Sequence, residues 1–246
     1  MVNTPAFGDA VALVHDRLPR LGVGLHLNLV AGRPLTRVPS LTDARTGDFH
    51  TLGALAQRAA TGRVRAEEVR RECDAQLVAL RAAGLAPTHL DSHRHSHALP
   101  GVLAPVVASA RAHGVPFVRR PLDHPPLGEP ALAARMLVLH AAWRLALRGV
   151  DADGRRLLAR APSFRGIALQ GAPDVGRRLL ALLDRLPAGP TELMLHPGYD
   201  DAVLAAQDPY RAEREREVAV LTSSIVRARV ARGDIALVSF AELATD

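Results

Sequence analysis

Residues 88–100 read THLDSHRHSHALP, with His89, Asp91, His93, His95 and His97 at every second position. A strand that starts at Thr88 and runs on through this segment puts all five side chains on one face, because the side-chain period of a strand is two. Imidazoles and a carboxylate crowded together are costly to bury without partners. Metal ligation removes that cost, since neutral imidazole is a common ligand for divalent cations. The alternative reading is a solvated polar loop that is rich in histidine. At most two of these side chains are expected to ligate one ion. The others would support a ligand or touch substrate.

Two further segments carry histidine on an apolar strand. Residues 22–35, GVGLHLNLVAGRPL, place His26 and Asn28 on one face and Leu25, Leu27 and Leu29 on the other. Alone, His26 reads more readily as a satisfied core histidine; beside the first segment it becomes a candidate ligand from a different strand. Residues 191–201, TELMLHPGYDD, end an apolar strand in His196, immediately before Pro197-Gly198. A polar group at a strand end before a turn suits catalysis, and it also suits a hydrogen bond to a loop carbonyl. Asp200 and Asp201 are candidates to orient His196 or to cap the next element.

Around these segments the chain alternates short apolar strands with longer helical patterns. Strands are expected at 21–29, 88–92, 116–119, 163–169, 192–195 and 235–240, each short, apolar and bounded by Gly or Pro. Helices are expected at 65–83, 101–113, 131–148, 174–186 and 210–232 from the spacing of their apolar residues. This alternation predicts an α/β fold with a mostly parallel sheet, open or closed into a barrel. Ligands then bind at the C-terminal ends of the strands, where the histidine segments fall. Arg119 ends the PFVR strand, as a candidate to hold a substrate hydroxyl or as a surface ion pair. Residues 32–50 are loop-like, and RPLDHPPLGEP at 120–130 is expected to be a loop, as a lid or a linker.

Composition narrows the classes. The chain has 246 residues, 48% of them hydrophobic, which suits a sizeable core in one domain spanning 1–246. No apolar run is long enough to cross a bilayer, and the N-terminus does not read as a signal peptide, so a cytoplasmic protein is expected. The net charge is +6 and all 31 basic residues are Arg. These are scattered among Asp and Glu, and only eight residues are aromatic, which argues against nucleic-acid binding. The single cysteine, Cys73, shares helical spacing with Val69, Leu77 and Leu80 and reads as core.

In order and spacing, GLHLNL with GRPL, THLDSHRHSHALP, ELMLHPGYDD and the closing GDIALVSFAEL resemble the YdjC-like carbohydrate deacetylases over essentially the whole chain. The resemblance implies a (β/α)-barrel-like fold and one divalent metal ion (Mg or Zn) held by one Asp and two His. It also implies hydrolysis of N-acetyl groups on small sugars. By position, His26 and His93 match the family's metal histidines, and His196 sits where NodB-type deacetylases place a general acid. Asp91, His95, His97 and Arg119 are then candidates to support a ligand or touch substrate. The family opens with a strand ending Ala-Asp-Asp-Phe-Gly, which supplies the metal Asp. This chain lacks that motif, and residues 1–5 resemble the family's second strand. The expectation is therefore a barrel lacking its first strand, with unpaired edges that favour homo-oligomers. A non-catalytic sugar- or metal-binding relative and another metal-dependent amide or phosphate hydrolase are the competing readings.

Overall fold

The computed structural model describes residues 1–126, 128–208 and 210–244. In chain order its elements are α1 (Phe7–Arg17), β1 (Leu25–Leu27), α2 (Leu52–Ala60), α3 (Ala66–Ala82), β2 (Leu90–Ser92), α4 (Leu103–Ala112), α5 (Pro130–Ala146), α6 (Ala152–Ala159) and β3 (Ser163–Arg165). They continue with α7 (Val175–Leu183), β4 (Thr191–Leu193), α8 (Ala202–Gln207), α9 (Ala212–Leu221), α10 (Ser224–Val230) and α11 (Phe240–Leu243). Short 3-10 turns lie at His93–Ala98, Leu147–Gly149 and Ile167–Leu169. The fold is mixed α/β, with two compact units.

The first unit holds Met1–Pro121, Val138–Ala161 and the described part of the C-terminus from Val238. Its β1 and β2 pair in parallel, with Leu25 opposite Leu90, His26 opposite Asp91 and Leu27 opposite Ser92. On the other side of β2, Leu90 N–H donates to the Phe117 carbonyl and Arg119 N–H donates to the Leu90 carbonyl, both at 2.9 Å. The third expected strand, 116–119, is thus reduced to a bridge between Leu90 and Val118.

Helix α3 packs on α4 and β1. Glu67 and Glu68 in its first turn complement the helix dipole, and Val69, Cys73, Leu77 and Leu80 form its buried apolar stripe. A second buried stripe on α3 is polar. Glu68 accepts the Ser40 N–H at 2.7 Å, and Glu72 accepts the N–H groups of Leu35 and Thr36 at 2.9 Å each. Gln76 both accepts from and donates to the Asn28 backbone, at 3.0 and 2.8 Å, as a neighbouring strand would. Residues 32–50 are therefore irregular as expected yet tethered, because buried polar groups demand partners.

The second unit holds Leu122–Leu137 and Pro162–Leu237. Its β3 and β4 pair in parallel, with Ser163 opposite Thr191 and Arg165 opposite Leu193. Leu169, Ala172, Val175, Leu179, Leu183 and Val226 form its buried core. Gly166 ends β3 at φ +123°, where a Cβ would stand 2.4 Å from the Met194 carbonyl oxygen. Only glycine permits that approach. Buried Asp123, in the proline-rich 120–130 segment, accepts the N–H groups of Gly166 and Ile167 at 2.9 and 3.0 Å. That segment is a loop docked by Asp123; its Leu127 lies outside the described residues.

Several expectations need correction. The strand at 88–92 does not continue to His97: it stops at Ser92, and Arg94 and His95 take left-handed φ of 54° and 53°. Residues 235–239 form no strand, and Phe240 begins α11 behind a Ser239–Glu242 capping box. The expected helix at 210–232 breaks at Thr222–Ser223, because Ser223 caps α10 by accepting the Val226 N–H. Residues 1–6 are turns leading into α1 rather than a strand, and α1, α2 and α6 fall in segments where no helix was expected. Among the described residues the ladders are two parallel pairs and two isolated bridges, Thr42 with Phe49 and Leu90 with Val118, and these do not by themselves close a barrel.

Candidate functional site

The β1–β2 register brings His26 and Asp91 side by side, since cross-strand neighbours share a face. The His26 Nδ1 is 2.8 Å from Asp91 Oδ1, and the Arg119 guanidinium is 2.5 Å from Oδ2. A carboxylate only accepts, so Nδ1 carries the proton. The side chains of Asp91 and Arg119 are 9% and 11% exposed, against 36% for His26. The ion pair is thus buried behind an imidazole that reaches the surface. Burial by itself would raise the Asp91 carboxyl. The charges of His26 and Arg119 and the hydrogen bond from His26 outweigh it and hold the carboxyl well below the usual carboxylate range. With both oxygens engaged and so weak a basicity, Asp91 orients His26; it is poorly suited to take up a proton.

His93 follows β2 directly, and the end of the strand sets it across from His26. Their ring centroids are 5.6 Å apart at 75°. Nδ1 of His26 is committed to Asp91, so His26 can meet a cation only through Nε2. An imidazole whose second nitrogen donates to a carboxylate is the usual arrangement of a metal-ligating histidine. The two rings could therefore offer a divalent ion at most two imidazole donors. Among the described residues no group of three or more His, Cys, Asp or Glu is placed to hold one.

The remaining histidines of the segment part company when the strand stops. His97 is fully buried. Its Nε2 donates to the Arg119 carbonyl at 2.9 Å, and its Nδ1 accepts from the Ser92 hydroxyl at 2.6 Å. Ser92 Oγ in turn accepts the His97 N–H at 2.9 Å. His97 therefore staples the end of β2 to the chain at Arg119, the residue that holds Asp91, and it has no ring nitrogen left for substrate. Burial pushes His97 down to about 4 and His95 to about 3. His89 is pushed down to about 4 by burial. It stacks on Phe240 at 4.1 Å and lies directly against Gly24. Asn28 closes a local turn by accepting the Val30 and Ala31 N–H groups at 3.2 and 3.1 Å.

His196 belongs to the second unit, just past β4. Its backbone N–H donates to Glu217, and its ring stands edge-on to Tyr210, with centroids 5.7 Å apart. Asp200 pairs with Arg211 at 2.7 Å, and Asp201 caps α8 through the Leu204 N–H at 2.7 Å. The two aspartates thus serve the following loop and helix. Sequence reading passed over Tyr210 and Glu217. The run AEREREV reads as a solvated helix face, and nothing in it marks Glu217 as buried.

A model of the family described as YdjC-like protein matches residues 1–232. A carbohydrate deacetylase of Geobacillus stearothermophilus is 33% identical over 98% of this chain and 84% of its own length. A human carbohydrate deacetylase is 33% identical over 99% of this chain and 80% of its own. A chitooligosaccharide deacetylase of Yersinia pestis is 31% identical over 98% and 85%. Among solved structures, an Enterococcus faecalis protein described as a cellobiose-phosphate cleavage protein is similar with a TM-score of 0.74, 26% identity and coverage of 99% of this chain and 85% of its own. By its family match and by relatives that align with nearly all of its length, the chain belongs to the YdjC-like protein family.

Proposed function

We propose that this chain is a carbohydrate deacetylase that hydrolyses N-acetyl groups on small amino sugars or oligosaccharides, with one divalent cation between His26 and His93. The observation that carries the reading is the Arg119–Asp91–His26 relay, which commits His26 Nδ1 to Asp91 while the ring stands 5.6 Å from that of His93. Family membership supports the sugar substrate, and relatives named for deacetylation support the reaction. A (β/α)-barrel-like closure of the strands belongs to the same reading.

A cation bound there would act as a Lewis acid toward the acetyl carbonyl. The protein's own part is to hold the two imidazoles. Asp91 fixes the tautomer of His26, Arg119 keeps Asp91 ionised, and His97 keeps Arg119 in place. His196 is the group we assign to protonate the leaving amine, a step that general acids accelerate by roughly 10²–10⁴-fold.

Acetate release from di-N-acetylchitobiose with added Mg²⁺ or Zn²⁺ tests the reaction. His26→Ala and His93→Ala are expected to lower bound metal at least about tenfold, whereas His113→Ala is not. His196→Ala is expected to keep the metal and lose turnover. Equal metal content in the His26, His93 and His113 variants removes the site assignment, and no acetate release from the wild-type chain removes the activity.

A further inference from the structure

Glu217 is a carboxylate only 2% exposed, on a helix whose neighbouring residues are charged. A buried carboxylate is costly unless its oxygens are well used. One oxygen accepts the backbone N–H of His196. The other accepts the Tyr210 hydroxyl at 2.5 Å, and that hydroxyl accepts the Gly171 N–H at 2.9 Å. Burial pushes the Tyr210 phenol up to about 12, so it stays protonated and remains a donor to Glu217. The Tyr210 ring, held in this way, is the surface against which the His196 imidazole stands edge-on at 72°. On the same side of α9, Arg214 lies over the Tyr210 ring, donates to the His196 carbonyl at 3.4 Å and pairs with Asp208 at 2.7 Å. Other bonds tie the loop to α9, including Asp200 N–H to Glu215 at 3.0 Å. Arg214 meets the His196 carbonyl and the face of the Tyr210 ring; Glu217 is the buried carboxylate that accepts both the His196 N–H and the Tyr210 hydroxyl, and so fixes the main chain of His196 and the ring beside its imidazole together.

We propose that Glu217 is the positioning residue of His196, acting through the His196 backbone amide and through Tyr210 to set where the imidazole stands at the end of β4. This deepens the proposed function and rests on its reading of His196 as the proton donor.

The test uses Glu217→Gln and Tyr210→Phe in the full chain, with His196→Ala as reference. The first readout is independent of activity: the pH titration of the His196 imidazole by NMR, its resonance assigned by its loss in His196→Ala. Both variants are expected to move the titration midpoint by at least about half a pH unit, because the charge and ring beside the imidazole change place. The second readout is kinetic. Each variant is expected to lower kcat about tenfold or more with KM little changed, yet to cost almost nothing in the His196→Ala background, since groups acting as a unit are not additive. A purely structural role would lower the thermal midpoint and leave the titration where it was. An unmoved titration in both variants overturns the proposal, as does an equal loss of kcat with and without His196. If the wild-type chain releases no acetate, the proposed function falls, while the titration still decides whether Glu217 positions His196.

Discussion

Replacing Arg119 with Leu removes the guanidinium from a buried ion pair and leaves the Asp91 carboxylate held by His26 alone. Both charged side chains are about one-tenth exposed and the contact is 2.5 Å, so solvent screens it little. Breaking a buried pair by deleting one partner costs about 3–5 kcal/mol, because the remaining charge loses its compensation. With a urea dependence of about 2–3 kcal/mol per molar, the unfolding midpoint should fall by roughly 1–2 M. The loss should depend on pH in a definite direction. In the native chain the Asp91 carboxyl is held low, so its contribution is complete above the ordinary carboxylate range and fades only as the pH falls through the lowered value. In the variant the lowering by Arg119 is lost while that by His26 remains, so the carboxyl lies higher than in the wild type. The variant's native state then takes up a proton at a higher pH than the wild type's does. The difference between wild type and variant should therefore be constant above the ordinary carboxylate range and shrink as the pH falls below about 4. Adding Asp91→Asn to Arg119→Leu should recover part of the loss, since an unpaired charge is no longer buried. Urea denaturation followed by circular dichroism at several pH values measures all three. A loss below about 1 kcal/mol, the range of surface pairs, or one that does not vary with pH, would refute the account of Arg119 as the partner that keeps Asp91 ionised.

Buried groups elsewhere set three other outcomes. The Cys73 thiol, pushed up to about 12 by burial, should not react with a disulfide reagent in the native chain at pH 8 and should react fully once the chain is unfolded in urea. His97 has its native value depressed to about 4 against an ordinary 6.5, so its neutral form contributes stability above pH 6.5 that is lost as the pH falls toward 4; at 1.36 kcal/mol per unit this is about 3 kcal/mol. His97→Gln should flatten the acid limb of a stability–pH profile by about that amount, and an unchanged limb would mean that His97 is not buried neutral. Gly166→Ala should lower stability by at least about 2 kcal/mol in thermal denaturation, because both its positive φ and the Met194 carbonyl exclude a Cβ. Gly47→Ala, at a positive φ with nothing within 4 Å, should cost less.

The histidine alternation of 88–97 and the apolar strands around His26 and His196 were legible because short-range pattern carries them. Parallel pairing of the 25–27 and 90–92 segments puts His26 against Asp91, and the types of both residues were visible from the start. The long helices α3, α4, α5 and α7 were legible from apolar spacing alone, for the same reason. The strand ends were not. Arg94 and His95 leave the β region for left-handed backbone, and only the Ser92–His97 hydrogen bonds and the docking of His97 on Arg119 explain the departure. Helix α1 was missed although Phe7, Ala10, Val11 and Val14 recur at helical spacing; the stripe spans only two turns and none of it is fully buried.

The sequence by itself determined which residue types the site has to work with, which strands carry them, and the family to which they belong. Tertiary structure alone decided which histidines meet. His26 and His93 are far apart in the chain, and they come within 5.6 Å through the parallel register of β1 and β2 and the turn after Ser92. It also decided that His97 is a buried staple and that Glu217, one acidic residue in a charged run, is buried against His196. The physical reason is that periodicity reports the face of an element, whereas the partner on that face is set by long-range packing and by the need of each buried polar group for a hydrogen bond.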